Sequence, residues 1–245
     1  MPRASRHYLP NYIWHITQRC HKREFLLKFQ KDRIRWRYWL FQATKKYGLT
    51  VLNYTITSNH VHLLVMESAE NSISRSLQLI AGRTAQEYNI RRGRKGAFWE
   101  DRYHATAIQS DIHLVRCMIY IDLNMVRAGV VTHPSQYPIC GHNEMLKPPA
   151  RYTVIDLKTL QSFFGFSSRQ DFQHYYNALV DKELEESVHE HNPIWSNSIA
   201  VGDEKFLQKV ADNLTGRIQG RSIEELNGMN ALREPTPSYN TLFTP

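Results

Sequence analysis

TVLNYTITSNHVHLLVM, residues 50–66, is the stretch whose reading decides the fold. Residues 50–57 are rich in β-branched side chains, Ser58-Asn59 is a turn-like pair, and residues 60–66 (HVHLLVM) form a second apolar run of strand length, so the whole reads as a β-hairpin. Working outward, residues 12–18 (YIWHITQ) read as a strand, and residues 31–47 carry helix-spaced Ile34, Trp39 and Ala43 before a stop at Gly48. Downstream, a polar Asn71/Ser72 start opens a helix over 72–91, which ends in the basic loop Arg91-Arg92-Gly93-Arg94-Lys95-Gly96. Residues 102–108 (RYHATAI) alternate as a strand, and Ser110-Asp111 caps a helix running to about Met125, closed by Ala128-Gly129. The order is βαββαβ plus one helix. That is the α+β, split-βαβ pattern of a ferredoxin-like antiparallel sheet with helices packed on one face.

At 245 residues with 42% hydrophobic content, the chain suits one compact domain with an appendage, or two small ones. The expected division is a first domain over 1–131, a Pro-marked linker over 132–151, a helical accessory region over 152–234 and a loosely ordered tail over 235–245. Within the accessory region the clearest helical patterns cover 171–184 and 204–214. Cys20, Cys117 and Cys140 form no CxxC pair and are odd in number, which argues against a disulfide framework and against a cysteine zinc site. No apolar run approaches the roughly 18 residues of a membrane span, and no signal segment opens the chain, so the expected location is the cytoplasm. The net charge of +8 is unevenly placed: residues 1–131 carry 21 Lys+Arg against 9 Asp+Glu, and residues 132–245 carry 10 against 14. A concentrated positive field favours a polyanion through counterion release, so nucleic acid or an anionic membrane surface is the expected partner of the first half.

Residues two apart in a strand point to the same face, so His60 and His62 project together and supply half a metal site. His-x-His spacing alone is weak, because it recurs at His189/His191, but that second pair lies in an acidic stretch and reads as solvated surface. Tyr120 and Asn124, four apart on the helix that starts after Asp111, share one face. A phenol with an ordinary pKa of about 10 attacks a phosphodiester at neutral pH only with help from a cation or a stabilised anion. Two imidazoles and the Asn124 amide oxygen would hold such a cation with positions left for phosphate oxygens, and this donor set also suits zinc or manganese. Read without further context, Tyr120 is more often a helix tyrosine packing its ring than a nucleophile. His15 and His104, on predicted strands, read as hydrogen-bonded structural histidines, and Glu67 has no assigned role.

Three blocks in order, TSNHVHLLV over 57–65, FWEDRY over 98–103 and YIDLNMVRAG over 120–129, resemble the single-tyrosine HUH transposases, and most closely the REP-associated tyrosine transposases. The resemblance covers about residues 1–145. Met125 stands where the family usually has proline, which leaves the chain able to continue a turn of helix. The resemblance implies Tyr120 as nucleophile, His60, His62 and Asn124 as ligands of Mg2+ or Mn2+, and cleavage of single-stranded DNA beside a hairpin of a repetitive palindromic element. It also implies a 5′-phosphotyrosine link that conserves the bond energy and lets a free 3′-hydroxyl rejoin strands. On this basis the expected assembly is a monomer or a homodimer.

Phosphate contacts position a nucleic acid, and the candidates are Arg3 and Arg6 in the N-terminal arm, Arg19, Lys22 and Arg23 after the first strand, the loop Arg91, Arg92, Arg94 and Lys95, and Arg102. Trp36, Trp39, Phe98 and Trp99 are aromatic candidates for base stacking, although Trp36 and Trp39, three apart on a helix, place at least one ring in the core. Two rival functions keep the charge but not the chemistry: a catalytically silent DNA-hairpin binder, and a structural metal domain that unfolds on chelation.

Overall fold

The structure is a computed structural model that describes residues 11–186, 192–214, 221–226 and 228–234. Its elements run β1 (Ile13–Arg19), α1 (Gln30–Tyr47), β2 (Thr50–Ile56), β3 (His60–Met66), α2 (Ser72–Arg92), β4 (His104–Ile108), α3 (Ile112–Asp122), α4 (Asn124–Arg127), α5 (Gly141–Leu146), α6 (Leu157–Phe163), α7 (Arg169–Glu186), α8 (Ile194–Asn197), β5 (Ala200–Val201), α9 (Glu204–Asn213), β6 (Ser222–Leu226) and β7 (Met229–Arg233). The strand order β2-β3-β1-β4 is that of the expected antiparallel ferredoxin-like sheet. The hairpin turn is the two-residue Ser58-Asn59 pair, closed by a 3.0 Å bond from the Thr57 amide to the His60 carbonyl.

Directly paired residues of an antiparallel sheet share a face, so the register sorts every side chain. Trp14, Ile16, Tyr54, Ile56, Val61, Leu63, Val65 and Ala107 line one face and are all buried. α1 and α2 pair with each other and cover that face, with Arg37 of α1 donating to the Tyr54 hydroxyl at 2.7 Å. The buried side of α1 is Asp32, Trp36, Leu40 and Ala43, whereas Ile34 is 54% exposed, so the expected seam through Ile34 and Trp39 is shifted. Trp39 instead lies partly buried between the guanidinium groups of Arg35 and Arg83, which satisfies a large ring at the surface without a place in the core.

The other face is polar where a core face would be apolar: Asn53, Thr55, His62, His15 and Thr106 point from it, and all are buried. They are tolerated because they are bonded to the elements stacked on them. Asn53 Nδ2 donates to the Met118 carbonyl at 3.1 Å and Thr55 Oγ1 to the Ile121 carbonyl at 3.1 Å, seating α3 on this face, while Thr106 Oγ1 donates to the Ser198 carbonyl at 2.7 Å and ties down the segment after α8. A β-bulge between Val51 and Asn53 turns Asn53 towards α3. Sandwiched in this way, α3 is buried almost all round, from Leu114 to Asp122.

The chain beyond residue 131 is more closely joined to the sheet than the sequence suggested. The stretch 132–151, read as a linker, is packed along β2: the Tyr137 hydroxyl donates to the Ile56 carbonyl at 2.7 Å, and the buried Glu144 carboxylate accepts from Tyr54 Oη and Arg37 Nη2. Residues 152–234, read as helical, do carry α6 to α9, and also contribute β5, β7 and β6, which lengthen the sheet to seven strands through a parallel β4–β5 pairing. A two-residue strand shows no period, and SIEEL in β6 is exposed along its length, so neither announces itself by alternation. All three cysteines are buried and unpaired. Among the described residues, no helix is long and apolar enough to cross a membrane. His189/His191, Arg3, Arg6 and the tail over 235–245 lie outside the described residues.

Candidate active site

The polar sheet face meets α3 and α4 at one point, and there the structure brings together His60, His62, Tyr120 and Asn124. The β3 period puts both imidazoles on this face, with ring centroids 4.9 Å apart at 78°. The Tyr120 ring stands edge-on to His62 at 5.9 Å and to His15 at 6.1 Å. Asn124 reaches His62 from one helical turn further on, its amide nitrogen 3.0 Å from His62 Nε2. The helix does break at Leu123 (φ −77°, ψ 1°) and resumes as α4, but the bonds from the Leu123 amide to the Ile119 carbonyl and from the Arg127 amide to the Leu123 carbonyl keep the turn, so the four-residue spacing holds. Gly129, at φ 67°, then closes α4 with its amide on the Val126 carbonyl, a conformation that suits glycine.

His60 is anchored by its other ring nitrogen, Nδ1, which lies 2.7 Å from Asn59 Oδ1 and 2.9 Å from Thr57 Oγ1. The hairpin turn itself therefore orients this imidazole. His62 Nδ1 is 2.9 Å from Nε2 of His15, whose Nδ1 in turn lies 2.7 Å from the Trp195 carbonyl. Burial pushes the His15 pKa down to about 4, against the opposing bond to the Trp195 carbonyl, so this ring is neutral at physiological pH. Among the described residues no group of three His, Cys, Asp or Glu side chains could hold a metal ion. The set at this point is two imidazoles and a carboxamide, and rotating the Asn124 amide by half a turn exchanges its nitrogen for its oxygen in the same place. These donors fit a divalent cation that takes nitrogen and neutral oxygen ligands.

Burial raises the Tyr120 phenol above its ordinary range, with Cys117 adding to the rise; the Arg127 guanidinium and hydrogen bonds from Ser196 and Arg127 act in the opposite direction. Arg127 lies across the phenol ring, its guanidinium carbon 4.3 Å from the centroid, and donates to the Tyr120 main-chain carbonyl at 2.5 Å. Trp195 completes the enclosure with its ring 6.2 Å from that of Tyr120. Arg127, Trp195 and Ser196 were not singled out from the sequence. A cation in the last turn of a helix is an ordinary C-terminal feature, and Trp195 and Ser196 come from the extension, 75 residues or more away in sequence.

The predicted DNA-contacting residues are more dispersed. Arg19 is exposed and pairs with His60 in the sheet register, next to the site. Lys22 and Arg23 follow it in a loop with positive φ (51° and 59°) that is tied to the hairpin turn by Asn59 Nδ2 on the Arg23 carbonyl. Arg91 is ion-paired with Asp32, Arg94 with Glu24 at 3.5 Å, and Arg92 lies over the Phe29 ring at 5.0 Å. Lys95 and Arg102 are exposed. Trp99 is partly buried, with its indole N–H on the Ala81 carbonyl at 3.0 Å and its ring against Phe98, so much of this side chain is occupied in packing.

The βαββαβ part of the sheet carries a His-x-His strand faced by a helix tyrosine, the arrangement expected from the resemblance to HUH single-tyrosine transposases. Residues 8–124 match the profile of the family described as IS200-like transposases. Among solved structures it is similar to a REP-associated tyrosine transposase bound to a REP hairpin, at 18% identity and a TM-score of 0.50 over 64% of this chain and 94% of that one. It is also similar to a putative transposase from Deinococcus radiodurans, at 14% identity and a TM-score of 0.35 over 52% of this chain and 92% of that one. No curated protein matches the sequence.

Proposed function

We propose that the chain cleaves and rejoins single-stranded DNA beside hairpins of repetitive palindromic elements, with Tyr120 as nucleophile and Mg2+ or Mn2+ held by His60, His62 and Asn124. The observation that carries this reading is the convergence of Asn124 and the Tyr120 ring on His62, at 3.0 Å and 5.9 Å, from segments about 60 residues apart. When bound, the cation supplies Lewis-acid polarisation and a template for the phosphate oxygens. The chain's own residues do the rest. The Asn59 and Thr57 side chains hold His60, and Arg127 and Ser196 hold the phenol oxygen and favour its anion. Tyr120 attacks phosphorus, the P–O3′ bond breaks, the new bond links the phenol oxygen to the 5′ phosphate, and the phenol proton is balanced by protonation of the departing 3′-oxygen. One phosphodiester replaces another, so the step reverses without a nucleotide energy source.

The polyanion would run past the His60 end of the sheet, where Arg19, Lys22 and Arg23 are exposed, with Lys95 and Arg102 as further phosphate contacts. The hairpin bound in the similar REP-associated transposase structure supports the substrate class. The test uses end-labelled single-stranded hairpin oligonucleotides from the genome of origin, incubated with manganese or EDTA and run on a denaturing gel, wild type against Tyr120→Phe. A covalent protein–DNA band that needs both metal and Tyr120 is the expected result. Binding by both proteins with cleavage by neither, under any divalent metal, would favour a silent hairpin binder.

A further inference from the structure

We propose that His15 is a positioning residue: held by the main-chain carbonyl of Trp195, it fixes His62 in the tautomer that presents the Nε2 lone pair to Asn124, which makes the segment around Trp195 part of the active site. The metal-binding consequence rests on the function proposed above; the tautomer assignment does not.

A carbonyl oxygen only accepts, so the 2.7 Å contact with Trp195 requires His15 Nδ1 to carry the proton. His15 is 0% exposed and its two ring nitrogens meet a main-chain carbonyl and an imidazole, neither of which is an anion that would compensate a buried positive charge, so with Nδ1 protonated its Nε2 is the acceptor. The 2.9 Å contact with His62 therefore takes its proton from His62 Nδ1. The two ring planes differ by only 9° with centroids 5.1 Å apart, and a 2.9 Å nitrogen gap at that separation means that the imidazoles meet edge to edge, as an N–H···N bond requires, rather than face to face. With Nδ1 protonated, the lone pair of neutral His62 is on Nε2, the nitrogen that lies 3.0 Å from the Asn124 amide. The links from Trp195 through His15 to His62 are buried, His62 being 4% exposed and Trp195 2%, so water does not readily substitute for these three members. His15 stands 180 residues before Trp195, and the relay exists only because α8 is seated on β1 and β4.

A ligand imidazole oriented and tautomerically fixed through its other nitrogen typically loses 10–100-fold in metal affinity when that partner is removed. Two variants separate positioning from mere packing. His15→Gln keeps a donor for the Trp195 carbonyl and an acceptor for His62 in a single amide, whereas His15→Leu keeps bulk and neither bond. Selective 15N-histidine labelling of the metal-free wild type reads the tautomer directly, with His62 assigned through its own substitution, and Mn2+ binding is titrated calorimetrically without DNA. Expected are a pyridine-type Nε2 and a pyrrole-type Nδ1 at His62 in wild type and His15→Gln, with His15→Leu shifting the resonances to a mixture and weakening Mn2+ by roughly 10–100-fold. A wild-type His62 protonated on Nε2, or unchanged resonances in His15→Leu, would overturn the inference, and the first of these needs no variant to fold. If His62 responds to His15→Leu as expected while wild type takes up no Mn2+, the positioning role stands and the metal reading fails.

Discussion

Arg127 offers the sharpest quantitative test of the nucleophilic role proposed for Tyr120. Replacing it with methionine keeps a stem of similar length against the phenol ring and removes the charge that lies 4.3 Å from the centroid. Two unit charges about 4 Å apart at an effective dielectric of about 20 interact by roughly 4 kcal/mol. The phenolate charge is spread between ring and oxygen and the protein relaxes on substitution, so about half of that ceiling, about 2 kcal/mol, is a working figure. At about 1.4 kcal/mol per decade, cleavage should slow about 30-fold. The sign with pH is also fixed: burial raises the phenol, Arg127 lowers it, and removing Arg127 leaves burial less opposed. The basic form is the nucleophile, so the rate of Arg127→Met should climb with pH to higher values than wild type before levelling, and the deficit should shrink in alkali. Single-turnover formation of the covalent adduct, measured from pH 6.5 to 9.5 on protein shown to be folded by thermal melting, reads both effects. Rates within twofold of wild type with a superimposable pH profile would refute the electrostatic role of Arg127.

Asn124→Ala should weaken Mn2+ binding by about 10-fold or more while leaving hairpin affinity in EDTA nearly unchanged, as titration calorimetry and gel shifts would check; equal losses in both would place Asn124 on the DNA instead. Tyr176→Phe removes the hydroxyl that donates at 2.6 Å to the buried Asp122 carboxylate, which also accepts from Asn53 at 2.9 Å. A hydrogen bond to a charged group contributes about 1.5–3 kcal/mol, so urea unfolding should show a loss of that size and a melting temperature lower by several degrees, and an unchanged midpoint would mean that α7 does not brace α3 through this bond.

The part of the fold legible in the sequence is the part with period. Residues 50–66 read as a hairpin because β-branched alternation stops at Ser58-Asn59 and restarts at His60, and the structure turns there. The helix over 72–91 and the one beginning after Asp111 were legible from their apolar spacing and punctuation, and Asp111 does cap α3 by accepting from the His113 amide. The seam of α1 was read correctly at Ala43 and wrongly at Ile34 and Trp39, since an aromatic such as Trp39 can satisfy itself between two arginines as readily as in the core. β5, β6 and β7 were illegible because short strands are defined by their partners and not by a period of their own. The same limit applies at the candidate site. His60/His62 and Tyr120/Asn124 are each a local spacing on one element, and spacing is readable. His15 was read as a hydrogen-bonded histidine, which it is, but its place between His62 and Trp195 depends on a contact across 180 residues that no local pattern encodes.

The central claim is that Tyr120 itself forms the bond to DNA. The most direct measurement is to trap the reaction of wild-type protein with a hairpin oligonucleotide and Mn2+, digest the adduct with protease and nuclease, and map the modified peptide by mass spectrometry. The account predicts a nucleotide joined through its 5′ phosphate to the tyrosine of the segment YIDLNMVR, residues 120–127, and to no other tyrosine. Cleaved DNA with a water-derived 5′ phosphate and no linked peptide, or an adduct on a different residue, would contradict it.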